Sequence, residues 1–491
     1  MRALVASAPF VLSSAMAASL GCSSTTPATG APTDAGADAI ALAPSDTLAE
    51  STRAACGYDA GSLSIETQGA SAPDGTNIPI DTIVIVMMEN RSFDHYFQDL
   101  PNGPGWSPGD VDVAPSGASN PGIDGTPVPF AHGTQLCFAD TNHGWDGTHQ
   151  EINDGKMDGF AVANDGTHED PMLGPPDFLN GARAMTYYTR ADLPFMYWAA
   201  DNFAIGDRYF ASVPGPTYPN REYLYAGTSF GETTTSLSYL PAQINATVLD
   251  SLDAKSVSWG AYTDGLPTFF LLQGDKNYSK YAKKQATMAK FTTDAASGKL
   301  PHVVFLDPNL VAEGYDGDDE HPPAVMQVGQ AWLAGVTKSL LASPQWPHLA
   351  FFLLYDEHGG LYDHVPPPKA CPPDGTQPIL STDGGSPYSG FDEYGIRLPF
   401  VVFSPYAKQH YVSHKVFDHT SVLRFIEARF GLPALTKRDA NALAPWDVFD
   451  FKAAPNTTPP SVPDVSVDQT TLSQCQTIFT AADVVASPYA N

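Results

Sequence analysis

Four short runs of the chain are apolar at nearly every position: Thr82–Met88, Val303–Leu306, Leu349–Tyr355 and Phe400–Phe403. None of them alternates. A strand with one wet face reads apolar and polar by turns, so unbroken runs predict strands covered on both faces, as in a parallel sheet flanked by helices. Their shortness and their β-branched and aromatic residues oppose a helical reading. Between them lie amphipathic stretches, Ala324–Leu341 and Thr420–Phe430, which the spacing predicts as helices. The second opens on Asp418-His419-Thr420-Ser421, good helix-capping chemistry. Strand and helix signals in alternation predict an α/β fold, a three-layer α/β/α sandwich around a mostly parallel sheet. The chain shows no internal repeat.

The two ends read differently. Arg2 followed by the small and apolar stretch Leu4 to Ala18 has the form of an export signal, too short and weak to span a membrane permanently. Ser19-Leu20-Gly21-Cys22 resembles a lipoprotein processing site, with Ser19 where that pattern prefers Leu; cleavage at Ala15-Met16-Ala17 is the alternative. The expectation is export, either to the cell envelope with Cys22 as a candidate lipid anchor or into the medium. Residues 23 to about 50 are Ser, Thr, Ala, Pro, Gly and Asp, too polar to bury a core. The reading is a signal over 1–22, a low-complexity linker over 23–75, a catalytic domain over 76–450 and an irregular tail over 451–491. Ordered structure is expected to begin near Ile78, and no later segment looks transmembrane. Beyond Cys22 the cysteines are Cys56, Cys137, Cys371 and Cys475. In an exported protein they allow two disulfides in three pairings, with buried thiols as the alternative.

Charge narrows the partners. The formal net charge is −29, with 54 acidic against 25 basic side chains. That excludes the basic surface a nucleic acid needs, and a basic patch for docking on anionic lipid. A phosphate ester would be repelled by the overall field, so binding one calls for a local cation.

Candidate chemistry collects where two of the apolar runs stop, and open α/β sheets bind ligands at the carboxyl ends of their strands. The first run stops at Glu89-Asn90-Arg91-Ser92-Phe93-Asp94-His95, the third at Asp356-Glu357-His358-Gly359-Gly360. Glu89, Asn90, Asp356 and Glu357 would converge as oxygen ligands for a hard cation or for zinc or manganese. Strand-end caps and solvated turns are the plainer alternative.

The longer strings carry a resemblance. Glu89 through Phe97, Gly215-Pro216-Thr217-Tyr218-Pro219-Asn220-Arg221, Asp356 through Pro367, and Tyr394-Gly395-Ile396-Arg397-Leu398-Pro399 with Phe403-Ser404-Pro405-Tyr406 stand in this order. They resemble the signatures of the bacterial phospholipase C and acid phosphatase family of phosphoesterases, from about residue 80 to 450. The resemblance implies an alkaline-phosphatase-like α/β/α fold and hydrolysis of phosphate esters, of phospholipid or of a small molecule. It also implies one divalent metal ion, calcium, manganese or zinc, held by Glu89, Asn90, Asp356 and Glu357. Thr217 falls at the family's nucleophile, with Ser212 a weaker candidate, and a metal favours the alkoxide of a hydroxyl otherwise unreactive at neutral pH.

His143 and His321 resemble family positions near the phosphate: His321 is read as the acid for the leaving oxygen, His143 as a phosphoryl ligand. Asn220 and Lys156 are candidate substrate contacts. His95, Asp94, His358, Asp363 and His364 lie inside the signatures as candidates to orient the carboxylates, and Arg91 and Arg221 as braces for loops. Phospholipase C-type diester cleavage is the leading reading. A phosphomonoesterase is the alternative, and a phosphate-binding envelope protein without catalysis is the rival of another class.

Overall fold

The computed structural model describes residues 43–165, 180–235, 247–272, 281–310, 314–380, 388 and 390–479. The export signal, Cys22 and residues 480–491 of the expected tail lie outside the described residues.

The main strands are β1 (Thr82–Met88), β2 (Ala204–Gly206), β3 (Trp259–Tyr262), β4 (Gln285–Ala286), β5 (Val303–Leu306), β6 (Leu349–Tyr355), β7 (Phe400–Phe403) and β8 (Tyr411–Ser413). The helices that matter here are α1 (Asp46–Ala54), α2 (Phe93–Phe97), α3 (Trp145–Ile152), α4 (Pro194–Asn202), α5 (Thr217–Ala226), α6 (Val248–Ala254), α7 (Met288–Ala296), α8 (Met326–Leu341), α9 (His419–Phe430) and α10 (Gln469–Ile478). The strands form one sheet in the order β8-β2-β7-β6-β1-β5-β3-β4. All four apolar runs are strands with the bounds the pattern predicts, and each is buried at every residue. The two predicted helices are α8 and α9.

Helices pack in two groups, α5 with α6 and α9, and α4 with α8 and α7. A sheet buried on both faces between two such groups is the α/β/α sandwich that the unbroken runs imply. It is mostly parallel, with one departure: β7 runs antiparallel to both β6 and β2. An unbroken apolar run reports burial on both faces but is silent on direction, which is why Phe400–Phe403 reads like its neighbours.

Regular structure begins well before Ile78. Within the stretch read as linker, α1 is capped by the Ser45 hydroxyl, which accepts from Leu48 N–H. Cys56, just beyond it, is bonded to Cys371 with Cα atoms 5.6 Å apart. The stretch read as an irregular tail contains α10, bonded through Cys475 to Cys137. Of the three possible pairings, one occurs, and its two bonds span 315 and 338 residues of chain. Both therefore fasten segments outside the central fold back onto it.

The central register sets up the site. β1 pairs in parallel with β6 from Thr82 opposite Leu349 to Met88 opposite Tyr355. On its other side β1 pairs in parallel with β5, Val86 opposite Leu306. The carboxyl ends of β1, β6 and β5 thus share one edge, delivering Glu89, Asp356 and Asp307 together.

Candidate active site

The polar segments after β1 and β6 are laced by their backbones. Asp356 N–H donates to Met88 O at 3.1 Å and Arg91 N–H to Glu357 O at 3.1 Å. Asn90 turns through the left-handed region at φ 62°, which asparagine tolerates better than most residues. Opposite it, Gly359 has φ 64°, and a Cβ there would stand 2.6 Å from Asn90 Cβ. Gly359 therefore lets the two segments meet, while Gly360, where a Cβ would stand 2.8 Å from Asn142 O, admits the loop that carries His143. The loop after β5 joins them, since Glu89 N–H donates to Asp319 O at 3.1 Å.

Arg221, on α5 and fully buried, holds this edge. Its Nε donates to Asp356 Oδ2 at 3.0 Å, and its Nη2 to Glu89 Oε1 at 3.1 Å and Met88 O at 3.2 Å. Nη1 reaches Met87 O and Thr268 Oγ1 and lies 4.0 Å from Asp307. This single guanidinium faces Glu89, Asp356 and Asp307, with Glu357 and Asp319 close by. Burial, then the charges of Asp356 and Glu89, pushes the Glu357 carboxyl well above the carboxylate range. Burial, then Glu89, does the same to Asp319.

Several buried atoms here have no hydrogen-bond partner: Asn90 Oδ1 and Nδ2, Glu357 Oε1 and Asp319 Oδ2. Unmet lone pairs in a buried, over-acidic pocket suit a divalent cation, so the residues present fit the metal that the resemblance implies. Two of the expected ligands, Glu89 and Asp356, share the Arg221 guanidinium.

Thr217 is the first residue of α5, after Pro216, which supplies no side-chain cap. Gly215 rests against Trp145, whose Cε3 would lie 3.1 Å from a Cβ there. Thr217 is 7 % exposed. Ser212 has its hydroxyl committed to Asp418 Oδ2 at 2.8 Å. Asn220, expected as a substrate contact, bonds the turn before α5. Its Oδ1 accepts from Val213 N–H at 3.0 Å, and its amide donates to Gly215 O at 2.8 Å and Pro216 O at 3.1 Å.

His143 and His321 come together, with ring centroids 5.8 Å apart. Donor atoms of Asp140, His143 and His321 lie within 4.8 Å of one another. Each histidine places Nδ1 on a backbone carbonyl, Thr141 O at 2.7 Å and Pro322 O at 2.6 Å. Donation of the Nδ1 protons to these carbonyls would fix the orientation of both rings.

The Phosphoesterase family profile matches residues 80–433. The chain belongs to this family. It is 32% identical over 453 residues to phospholipase C B of Mycobacterium tuberculosis, covering 82% of this chain and 84% of the relative. It is 31% identical over 435 residues to non-specific phospholipase C1 of Arabidopsis thaliana, covering 83% and 78%. Among solved structures, the lipoteichoic acid synthase LtaP of Listeria monocytogenes is 10% identical at a TM-score of 0.37, over 89% of this chain and 97% of that one. That score is too low to carry topology. Family membership makes this phosphoesterase a hydrolase of phosphoric ester bonds.

The remaining signature residues divide. His358 stands beside Glu357, Nδ1 to Oε2 3.7 Å, with its Nε2 2.6 Å from Glu151 Oε2. Burial, then neighbouring His143, holds its pKa down to about 3, while burial pushes Glu151 well above its usual range. Asp94, Asp363 and His364 form a separate buried clamp around Arg397, which donates to Asp94 Oδ1 and Asp363 Oδ1, each at 2.9 Å. Burial opposes charge on His364, but its hydrogen bond to Asp94 at 2.6 Å together with the charges of Asp94 and Asp363 outweighs it and raises the pKa. These residues tie the first signature to the third and to Arg397; they do not bond the expected metal ligands.

His95, expected to orient the carboxylates, places Nδ1 2.6 Å from Thr186 O, and its ring packs edge-on to Tyr188. Lys156 is exposed on the turn after α3.

Four residues lay beyond the sequence reading. Asp319 and Asp140 join the site through loops. Glu151 and Asn164 pair at 2.8 Å behind His358. Asp140 was within reach of that reading, three residues before His143. Glu151 was not, because an acid in an amphipathic helix reads as solvated.

Proposed function

We propose that this phosphoesterase is a phospholipase C-type enzyme, cleaving phosphodiesters through a phosphorylated Thr217. The observation that carries the proposal is on α5. Thr217 and Arg221 are four residues apart, so they share one helix face, and Arg221 is the residue that grips Glu89 and Asp356. The helix that presents the hydroxyl is therefore the one bonded to the ligand carboxylates. The names of the phospholipase C relatives support the diester reading over a monoester one.

Glu89, Asn90, Asp356 and Glu357 would hold one divalent cation. When bound, it supplies positive charge to the phosphoryl oxygens and to the oxygen of Thr217. Thr217 Oγ1 forms a bond to phosphorus as the bond to the leaving oxygen breaks, and the hydroxyl proton departs to solvent. His321, flanked by the carboxylates of Asp140 and Asp319, donates a proton from Nε2 to the leaving oxygen. His143 binds a phosphoryl oxygen. Water then attacks phosphorus, releasing the phosphorylated head group and restoring Thr217. Two disulfides fit an oxidising compartment, which supports export and leaves Cys22 as the proposed lipid anchor.

The test is replacement of Thr217. Thr217→Ala should abolish turnover of an aryl phosphodiester, and Thr217→Ser should retain it. Mass analysis of acid-quenched enzyme should find, on residue 217, the phosphoryl group still carrying the substituent that did not leave. Full activity in Thr217→Ala would end the proposal. Binding without turnover in the natural chain would favour the non-catalytic rival.

A further inference from the structure

His143 and His321 stand on irregular loops, so something other than the sheet must hold them. Polar ties hold them in part, Asn142 N–H to Asn164 Oδ1 and His321 N–H to Asp319 Oδ1 among them, and a small apolar cluster separate from the main core packs beneath both. It takes Cys137 and Ala139 from the His143 loop, Val325 from the His321 loop, and Cys475 and Phe479 from α10 and its end. The loops also bond to each other, Met326 N–H donating to Leu136 O at 3.2 Å, and Ala324 N–H closes the His321 turn on His321 O at 2.8 Å.

Cys475 is the one buried residue of α10 among Gln469–Ile478, with Leu472 and Ile478 half-buried against the cluster. The helix adheres through these, through the Cys137–Cys475 bond and through Phe479, 3 % exposed, just past its end. Its start is pinned where Asp468 N–H donates to Gln327 Oε1 at 2.8 Å. Remove it, and Cys137, Ala139 and Val325 lose the cover that makes them a core.

We infer that α10 is a positioning element of the active site, holding the His143 and His321 loops in place through Cys475 and Phe479. The inference rests on the roles proposed above for these two histidines. α10 sends no side chain to the reacting atoms, so its effect passes through the loops. Misplacing an acid by a fraction of an ångström to one ångström costs turnover far more than it costs substrate binding.

The experiment uses the full chain with Cys475→Ser, Phe479→Ala and, as control, Cys56→Ser, which breaks the other disulfide. Each is assayed for kcat, KM and the pH profile of kcat on an aryl phosphodiester. Hydrogen exchange is followed at the amides of Asn142, Ala324 and Val325. The expected result for both α10 variants is a kcat lower by about tenfold or more, KM within about twofold, a displaced pH profile and faster exchange at those amides. Cys56→Ser should lower Tm with pH profile and exchange unchanged. Unchanged kcat and pH profile in both α10 variants would overturn the inference, as would equal changes in the control. Should the natural chain hydrolyse no phosphate ester, the proposed function fails. The exchange result then decides alone whether α10 holds these loops.

Discussion

Thr217 and Arg221 lie one helical turn apart on α5, and Arg221 bonds both Asp356, at 3.0 Å, and Glu89, at 3.1 Å. The sequence string Thr-Tyr-Pro-Asn-Arg thus carries two jobs: it sets the hydroxyl at the helix start and ties that helix to the ends of β1 and β6.

Arg221 is the first residue to change. Arg221→Met should destabilise the metal-free protein by about 3–5 kcal/mol, because Glu89, Asp356 and Asp307 lose their buried counter-charge. Arg221→Lys keeps the charge but cannot span both carboxylates, and should recover only part of that. Urea unfolding in the presence of a chelator measures both. Equal stability in the natural chain and Arg221→Met would contradict the bracing role.

Gly359 and Gly431 make a matched pair. Both have positive φ, 64° and 60°, but a Cβ at 431 meets nothing within 4 Å while one at 359 meets Asn90. Gly431→Ala should cost about 1 kcal/mol, the price of a left-handed alanine. Gly359→Ala should cost more, about 2–4 kcal/mol, and take activity with it, because the Asn90 turn must shift. Thermal unfolding and turnover of the two variants side by side check this.

Glu232 sets a pH dependence away from the site. Its Oε1 is buried without a partner, and burial pushes its pKa up to about 7 from 4.5. The folded protein therefore keeps a proton that the unfolded chain releases above about pH 4.5. Stability from this group is full below that pH and is lost as pH rises toward 7. Glu232→Gln should leave stability at pH 4 nearly unchanged and raise it at pH 7.5, by on the order of 1 kcal/mol. Urea midpoints at the two pH values read the difference, and a gain larger at pH 4 would contradict the assignment.

What the sequence disclosed follows from what burial does to composition. Strands wrapped on both faces must be apolar throughout, so Thr82–Met88 and Leu349–Tyr355 declare themselves, and the polar strings at their ends mark the site. Direction leaves no such trace, as β7 shows. α10 was hidden because Gln469–Ile478 is polar on most of its surface, and its anchor, Cys137, is 338 residues away. Asp319 was hidden in Asp316-Gly317-Asp318-Asp319-Glu320, a string that reads as solvated acid until tertiary contact buries it. His95 sits inside a signature but faces Tyr188; membership of a motif does not fix where a side chain points. Asn220 likewise spends its side chain on the turn before α5.

The most direct test of the account is product analysis with phosphatidylcholine, with and without a chelator, for the natural chain and Thr217→Ala. The account predicts phosphocholine and diacylglycerol from the natural chain alone, lost on chelation and restored by added divalent metal. Phosphocholine released equally by Thr217→Ala, or undiminished after the metal is removed, would contradict it.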